Sequence, residues 1–264
     1  MKVEAEDPWS RRLFLRWIVI ALAGLCGGCK LGAAMDASDY FSDDRAEALA
    51  EAAASGRTEA AARLLSQGLD VNVRGRDGMT PLIVAILSQN KKGVEFLLQH
   101  GADPNLQLSD GSSALAKELP FAGNSAVSFA ARHEDIWYLD TVLKYGGNAN
   151  LVNPFSDQTP IYASIASLRT LQPRRLIAAG ANLNYQDRDG VTPLIFAARA
   201  NRFDLAYDML MAGADPTIAN KWGKTIVNVI KRSVGHTLPD MSQWRDRVIA
   251  VLREKGIDVD IDNQ

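Results

Sequence analysis

The sequence predicts an all-α fold, a solenoid of about six helix-turn-helix repeats joined by short hairpin-like loops, and three observations support this. Glycines in equivalent contexts recur about every 33 residues, which indicates a repeat architecture. Thr-Pro or Ser positions recur at the same step ahead of each apolar run, where a hydroxyl caps a helix and proline fits the first turn. Apolar residues make up 47% of the chain and many are alanine, which suits closely packed helices. The glycines are Gly68, Gly101, Gly146, Gly180, Gly213 and Gly256, and the capping positions are Thr80, Ser113, Thr159, Thr192 and Thr225.

Residues 189–215 show one repeat in full. After the cap Thr192, apolar residues at spacings of three and four predict a first helix with one buried stripe. A second apolar pattern follows and ends at Gly213, where a left-handed C-terminal residue is needed. Neither helix is long enough to be stable alone in water, so each helix pair must bury its open face against the next pair.

The Thr-Pro-Leu that begins at Thr192 and the Leu-Leu-x-x-Gly-Ala-Asp pattern that ends at Asp103 resemble the ankyrin repeat. The resemblance extends over residues 45–264. It implies that the turns between repeats project as fingers. It also implies that the fingers and the first helices of the repeats form one surface, the concave face, which binds other proteins.

The two ends of the array differ from its middle. The first repeat, residues 45–74, lacks Thr-Pro-Leu, and charged residues interrupt its predicted first helix, Ala46–Ser55. A polar outer side is typical of an end repeat. At the other end, Arg253 occupies the core position that follows Leu252, which predicts a C-terminal cap.

Two insertions interrupt the repeat pattern. The step from Gly101 to Gly146 is longer than the others, and the excess lies at residues 116–125. This excess is either a loop on the binding face or a longer helix with a disordered tip. In the sixth repeat, residues 231–242 separate the first helix from a second helix that is predicted to resume at Trp244.

Residues 1–29 have the pattern of an export signal rather than of the repeat fold. A basic stretch containing Arg11 and Arg12 precedes a short apolar run and several small residues. The arginine pair and the Leu-Phe-Leu after it resemble a twin-arginine signal. The Gly-Gly before Cys29 resembles the end of a bacterial lipobox, although Cys26 stands where that motif prefers leucine. The resemblance implies lipidation at Cys29; an uncleaved anchor and cleavage without a lipid are the alternatives.

Residues 30–44 combine small and acidic residues without helical periodicity, which predicts a tether that extends about 50 Å at most. Cys26 and Cys29 are the two cysteines of the chain, so the mature domain is expected to contain neither a free thiol nor a disulfide. The residue after the modified cysteine influences sorting in enterobacterial lipoproteins, and Lys30 favours the outer membrane. The expected location is therefore the periplasmic side of the bacterial outer membrane.

No residue pattern in the sequence indicates catalysis or a cofactor. The histidines, His100, His133 and His236, are not paired with other ligands at the spacing of a metal site. A phosphate-binding glycine loop, a nucleophile elbow and a cysteine nucleophile are all missing. The alternating aspartates from Asp258 to Asp262 lack the glycine and glutamate of an EF-hand loop. A net charge of −2 without a basic stripe argues against nucleic acid, so we expect a non-enzymatic protein without cofactor or metal.

Candidate partner-binding residues lie in the predicted fingers and on the neighbouring first helices. Aromatic and arginine side chains at such positions are the usual anchors of a protein interface. One apolar register, represented by Tyr185, is instead expected to pack finger against finger. The fingers are residues 73–79, 106–112, 151–158, 185–191 and 218–224. The candidates are Arg74, Arg76, Phe155, Arg188 and Trp222 in the fingers, and Tyr162, Phe196 and Arg199 on the helices.

Two classes of function fit these expectations. The first is a protein-binding lipoprotein of the cell envelope, in its narrower form an immunity protein that neutralises a toxin acting in the periplasm, such as an interbacterial phospholipase. The second is an envelope scaffold or accessory protein that organises or stabilises exported proteins of the same cell. In both cases a monomer anchored through a lipid on Cys29 would bind its partner with the concave face and finger loops.

Overall fold

A computed structural model describes residues 37–109, 121–233 and 239–260 of the chain. Within these ranges the backbone forms twelve α-helices and no strand, apart from two isolated bridge pairs. The helices are α1 Asp44–Ser55, α2 Thr58–Ser66, α3 Pro81–Leu87, α4 Lys91–Gln99, α5 Ala126–Arg132, α6 Ile136–Lys144, α7 Pro160–Ala166, α8 Leu171–Ala178, α9 Pro193–Arg199, α10 Phe203–Met211, α11 Ile226–Ser233 and α12 Pro239–Glu254.

The helices pack in two rows. The odd-numbered helices contact one another in chain order from α1 to α11, and the even-numbered helices do so from α2 to α12. Each odd-numbered helix from α1 to α9 also packs against the even-numbered helix that follows it, whereas α12 packs chiefly on α10. The predicted all-α solenoid of about six helix pairs is therefore confirmed.

Hydroxyl caps determine where several of the first helices begin. The Oγ1 atoms of Thr80 and Thr192 each accept a hydrogen bond of 3.3 Å from the backbone N–H three residues on, and proline follows each threonine. Ser125 caps α5 in the same way at 3.4 Å. Thr159 differs, because its Oγ1 is buried and has no hydrogen-bond partner.

The core lies both within each helix pair and between consecutive pairs. Helices of seven to nine residues are not stable alone, and here each buries apolar side chains against the helices before and after it. One continuous cluster of buried residues extends from Ala37 to Val259. Helices α1 and α4 approach each other closely, because a Cβ added at Gly93 would overlap the backbone of Ala53.

Asparagines at equivalent positions after the second helices connect consecutive repeats. The Nδ2 of Asn105 donates to the Gly146 carbonyl at 3.0 Å, and its Oδ1 accepts from the backbone N–H of Asn148 at 2.8 Å. Because the asparagine side chain bonds to the backbone of the following repeat, it connects one helix pair to the next. Asn72 and Asn150 make both bonds to the repeats that follow them, and Asn184 accepts the equivalent bond from the N–H of Asp215.

The predicted tether requires a correction, because residues 37–44 belong to the folded domain. Residues 37–39 form a short 3-10 helix that contacts α1, and the Tyr40 and Phe41 side chains are buried. The carbonyl of Tyr40 accepts a 2.6 Å hydrogen bond from the backbone N–H of Arg76. The reason is that this aromatic pair supplies apolar area in a segment that is otherwise small and acidic.

Parts of the two predicted insertions are ordered in the described ranges. Helix α11 continues to Ser233 and α12 begins at Pro239, so much of the span 231–242 is helical. Residues 121–125 form a turn that pairs with the second finger, with Phe121 packed edge-on against Phe129 at 5.2 Å. The remaining predictions for Arg11, Arg12, Cys26, Cys29, Lys30, residues 110–120, His236 and Asp262 lie outside the described residues.

Candidate protein-binding surface

Side-chain carboxylate and amide groups hold the fingers in shape. The Oδ1 of Asp187 accepts from the backbone N–H groups of Asp189 and Val191 at 3.0 and 2.9 Å. In the finger 218–224, the Oδ1 of Asn220 accepts two backbone hydrogen bonds of 3.0 Å. In the finger 151–158, the Oδ1 of Asn153 accepts two backbone hydrogen bonds of 2.9 and 3.1 Å. These closed turns present a fixed backbone to solvent, as a preformed binding surface requires.

The fingers are also bonded to one another. The Ser109 N–H donates to the Asp77 carbonyl at 2.8 Å, and the Lys221 N–H donates to the Asp189 carbonyl at 3.0 Å. Gln107 reaches further, since its Nε2 donates to the Val152 carbonyl at 2.8 Å. The described fingers therefore form one connected edge rather than independent loops.

The candidate residues in the fingers are partly used in this network. Arg74 donates to the Gln107 carbonyl of the next finger, and Arg188 donates to the Phe155 carbonyl at 3.3 Å. The Phe155 side chain is 43% exposed and Arg76 is exposed. Trp222 is half-buried, with the Lys221 Nζ 4.5 Å from the centre of its ring. Phe155 and Arg76 are thus the freest of the predicted contact residues in the fingers.

Tyr162 requires a correction, because its side chain is 0% exposed and does not reach the surface. Its hydroxyl donates to the carbonyls of Tyr185 and Val191 at 2.9 and 2.7 Å. Burial raises the pKa of this hydroxyl far above its usual range. Tyr162 therefore anchors the next finger to α7 instead of offering a contact to a partner.

Phe196 and Arg199 lie on the surface of α9 as predicted candidates, and both are half-buried. They occupy the fourth and seventh residues of the helix, which share one face. The second, third, fifth and sixth residues are buried, as Leu194 and Ala197 illustrate. The fourth and seventh positions therefore form the more accessible side of α9.

The same two positions in the other first helices form a row that we call the stripe, in which the fourth-position residues Val84, Phe129 and Ala163 are buried and the seventh-position residues are half-buried or exposed. Its arginines have no acidic residue beside them within the stripe. They also form no ion pair with any carboxylate in the described part of the chain. The fourth positions are Val84, Phe129, Ala163, Phe196 and Val229, and the seventh positions are Leu87, Arg132, Ala166, Arg199 and Arg232.

Arginines on the even-numbered side of the solenoid behave differently. Arg174 pairs with Asp208 at 2.7 Å and with Asp204 at 3.6 Å, and Arg202 pairs with Asp204 at 2.9 Å. Burial opposes ionisation of Asp204, but the hydrogen bond and charge of Arg202 hold its pKa below the ordinary value. The arginine and aspartate charges on this side pair with one another, whereas the arginines of the stripe form no ion pair in the described ranges.

Arg132 is a position that the sequence did not point to. The Nε of Arg132 is buried without a hydrogen-bond partner, and burial lowers the pKa of its guanidinium to about 10. Aligning the first helices at their caps would have found this residue, because Arg132 and Arg199 then fall at one register. The asparagines that connect the repeats were missed in the same way.

Neither metal ligation nor membrane crossing is indicated in the described ranges. Across residues 37–109, 121–233 and 239–260, no group of three histidine, cysteine, aspartate or glutamate side chains could hold a metal ion. Among the helices α1 to α12, none combines the length and apolar character that a bilayer span requires. His100, one of the histidines considered above, stacks on Phe96 at 4.0 Å.

Comparison with known proteins identifies the repeats. Family models for ankyrin repeats match residues 19–107 and 176–229, together just over half of the chain. Protein PhlB of Serratia liquefaciens is 37% identical over 155 residues, which cover 59% of this chain and 63% of PhlB. The mitochondrial disaggregase of Bos taurus is 31% identical over 194 residues, which cover 73% of this chain and 26% of the disaggregase. The chain thus spans less than two thirds of the length of these relatives.

Solved structures share the architecture. An ankyrin repeat domain from Acinetobacter baumannii AYE superposes with a TM-score of 0.64 at 24% identity, covering 80% of this chain and 98% of that domain. A chain from the complex of a Bdellovibrio bacteriovorus predatory endopeptidase with an immunity protein superposes with a TM-score of 0.58 at 23% identity. That match covers 76% of this chain and 97% of the other. The stacked helix pairs and the capped first helices of the structure agree with these matches. The chain therefore belongs to the ankyrin-repeat proteins, whose fold is typically a non-catalytic scaffold for protein interaction.

Proposed function

We propose that this ankyrin-repeat protein is exported to the bacterial cell envelope and binds another protein there through its concave face. The observation that carries the proposal is the surface left over after the repeats have stacked. Phe155 and Arg76 in the fingers are exposed, and Phe196 and Arg199 on α9 are half-buried, so all four keep some surface that a partner can reach. Exposed aromatic and arginine side chains on a rigid surface are typical of protein interfaces.

In its narrower form the proposal makes the partner a toxin that acts in the periplasm and makes this chain its immunity protein. The export pattern of residues 1–29 supports this, because such a toxin has to be met outside the cytosol. The solved complex of a predatory endopeptidase with an immunity protein, one chain of which has the same fold, also supports it.

The proposal includes the mode of attachment. Arg11 and Arg12 direct export, Cys29 carries a lipid, and the domain faces the periplasm from the outer membrane as a monomer. Support comes from the sequence pattern alone. Incorporation of labelled palmitate into the wild-type chain but not into Cys29→Ser tests the lipid. Accumulation of an Arg11→Lys, Arg12→Lys double variant in the cytosol tests the export route.

Partner binding is tested by purifying the full-length chain, tagged at its C-terminus, from envelope extracts of a cell that carries the matching toxin. We expect a hydrolase to copurify and its activity to fall when the purified chain is added. The double variant Phe155→Ser, Arg76→Ser should lose the hydrolase, because both side chains are accessible in the fingers.

A matched control removes one exposed apolar side chain and one exposed arginine elsewhere. Met211 is 63% exposed at the end of α10, and Arg63 is exposed on α2, so Met211→Ser, Arg63→Ser should still bind the hydrolase. Equal loss with both double variants would contradict binding by the concave face. Recovery of resident envelope proteins instead of a toxin would replace the immunity role by that of an envelope scaffold.

A further inference from the structure

The turn between α5 and α6 contains a histidine whose protonation state is fixed by its surroundings. The backbone N–H of Asp135 donates to the Nδ1 of His133 at 3.0 Å. A ring nitrogen that accepts a hydrogen bond carries no proton, so this bond requires the neutral imidazole with its proton on Nε2. That Nε2 is buried and has no hydrogen-bond partner within the described ranges. A second proton could be added only at Nδ1, where it would face the Asp135 N–H.

The same turn joins the third repeat to the fourth. The Nε of Arg169 donates to the Arg132 carbonyl at 2.7 Å. The Nε2 of Gln172 donates to the carbonyls of His133 and Glu134 at 2.6 and 3.1 Å. Gln172 is buried, so water does not readily replace its bonds. Three consecutive carbonyls of the turn therefore depend on its shape for their bonds to the next repeat.

Charged and titratable groups from several elements lie around the imidazole. They are Arg132, Glu134 and Asp135 beside it in the chain, Tyr138 on α6, Arg169 before α8 and Lys91 at the start of α4. The two carboxylates favour a charged ring and Arg169 opposes it, while Lys91 already pairs with Asp135 at 2.5 Å. Burial outweighs the carboxylates and lowers the pKa of the His133 imidazole.

We propose that His133 is an acid-sensitive switch at the junction between the third and fourth repeats. While the imidazole is neutral, the turn keeps the shape in which its carbonyls accept from Arg169 and Gln172. A proton added at Nδ1 breaks the bond from the Asp135 N–H, because two N–H groups then face each other. The turn shifts, its bonds to the fourth repeat weaken, and the stack loosens at this junction. The switch does not depend on which protein the concave face binds.

Acid should therefore lower stability over a defined range. Because the pKa of His133 is lower in the folded chain, its contribution to stability is complete above the unfolded pKa of about 6.5. The contribution falls as the pH decreases below that value, until the folded imidazole is protonated as well. Asp204, whose pKa is also depressed, acts at a lower pH than this, so the two effects are separable.

Urea unfolding of the purified full-length chain at about pH 7.5 and about pH 5 tests the switch. In His133→Asn the amide Oδ1 lies as many bonds from the backbone as Nδ1 does, so it can still accept from the Asp135 N–H, but it does not titrate. Between the two pH values the unfolding equilibrium constant of the wild type should rise about threefold or more beyond the rise in His133→Asn. Equal rises in the two proteins overturn the inference.

The matched control is His100→Asn. His100 is exposed, and its Nδ1 lies 2.8 Å from the Phe96 carbonyl of the same repeat. This variant removes a histidine that takes no part in the junction, so it should keep the rise of the wild type. If His100→Asn abolishes the rise and His133→Asn retains it, the acid sensitivity belongs to His100 and the switch is refuted.

Hydrogen exchange measured by mass spectrometry locates the loosening. After correction for the intrinsic effect of pH, peptides covering residues 132–136 and 167–174 should exchange about threefold faster at the acidic pH in the wild type, but not in His133→Asn. Peptides covering residues 52–60, at the corresponding turn of the first repeat, should not change. Uniform acceleration along the chain, or none, overturns the assignment to this junction. Nitrogen-15 NMR of the histidine rings should show the Nε2–H tautomer for His133 at neutral pH, and an Nδ1–H tautomer would equally refute it.

Discussion

The asparagines that connect consecutive repeats allow one sharp test of how the solenoid is held together. In Asn105→Ala the amide that donates to the Gly146 carbonyl and accepts from the Asn148 N–H is lost. These groups are close to solvent, so water replaces part of what is lost, and each bond is worth about 0.5–1 kcal/mol. The expected loss in free energy of unfolding is therefore about 1–2 kcal/mol, or about 2–8 °C in melting temperature for a domain of this size.

Urea unfolding followed by circular dichroism at the helical minimum measures this loss. The matched control is Thr217→Ala, because Thr217 stands at the equivalent position of the fifth repeat but its hydroxyl, within the described ranges, bonds to Asp215 of its own turn at 2.7 Å and not to another repeat. We expect the control to shift the midpoint much less than Asn105→Ala does. Equal midpoints for the two variants would show that the bonds between repeats add nothing beyond the stacking of helices.

Three further predictions concern the packing of single residues. Tyr162→Phe removes a buried hydroxyl that bonds two backbone carbonyls of the next finger, and it should lower the free energy of unfolding by about 1–3 kcal/mol in urea titrations. Gly93→Ala would ordinarily stabilise a helix interior, but here the methyl group overlaps the backbone of Ala53, so calorimetry should show destabilisation by about 1–3 kcal/mol. The depressed pKa of Asp204 means that its stabilising contribution is complete above the unfolded pKa and is lost as the pH falls below about 4. Asp204→Asn should therefore show a shallower loss of stability over that acid range, and a slope identical to the wild type would contradict the assignment.

The repeat period and the capping residues were sufficient to predict the architecture. Thr80 and Thr192 cap helices as expected, and the left-handed Gly213 has φ 95° after the second helix of the fifth repeat. Local rules succeed here because each repeat places the same side chains in the same surroundings. Where that regularity fails, as at the start of the domain with Tyr40 and Phe41, the prediction failed too.

The candidate site was predicted less completely. Arg76, Phe155, Phe196 and Arg199 were identified from finger position or helix face, and the structure leaves the first two exposed and the last two half-buried. Tyr162 was misplaced, because a tyrosine beside a finger can point its hydroxyl either at solvent or at the next finger's carbonyls. The choice depends on the backbone of another repeat, which sequence position does not reveal.

The sequence by itself determined the helical hairpin, its period and the order in which the hairpins stack, because these follow from hydrophobic spacing and capping within about 33 residues. Only the tertiary structure decided which polar groups remain unpaired. Arg174 and Arg175 find carboxylates on neighbouring helices, whereas Arg132 and Arg199 find none in the described ranges. Pairing depends on distances between side chains that lie more than thirty residues apart along the chain, and those distances are set when the repeats pack.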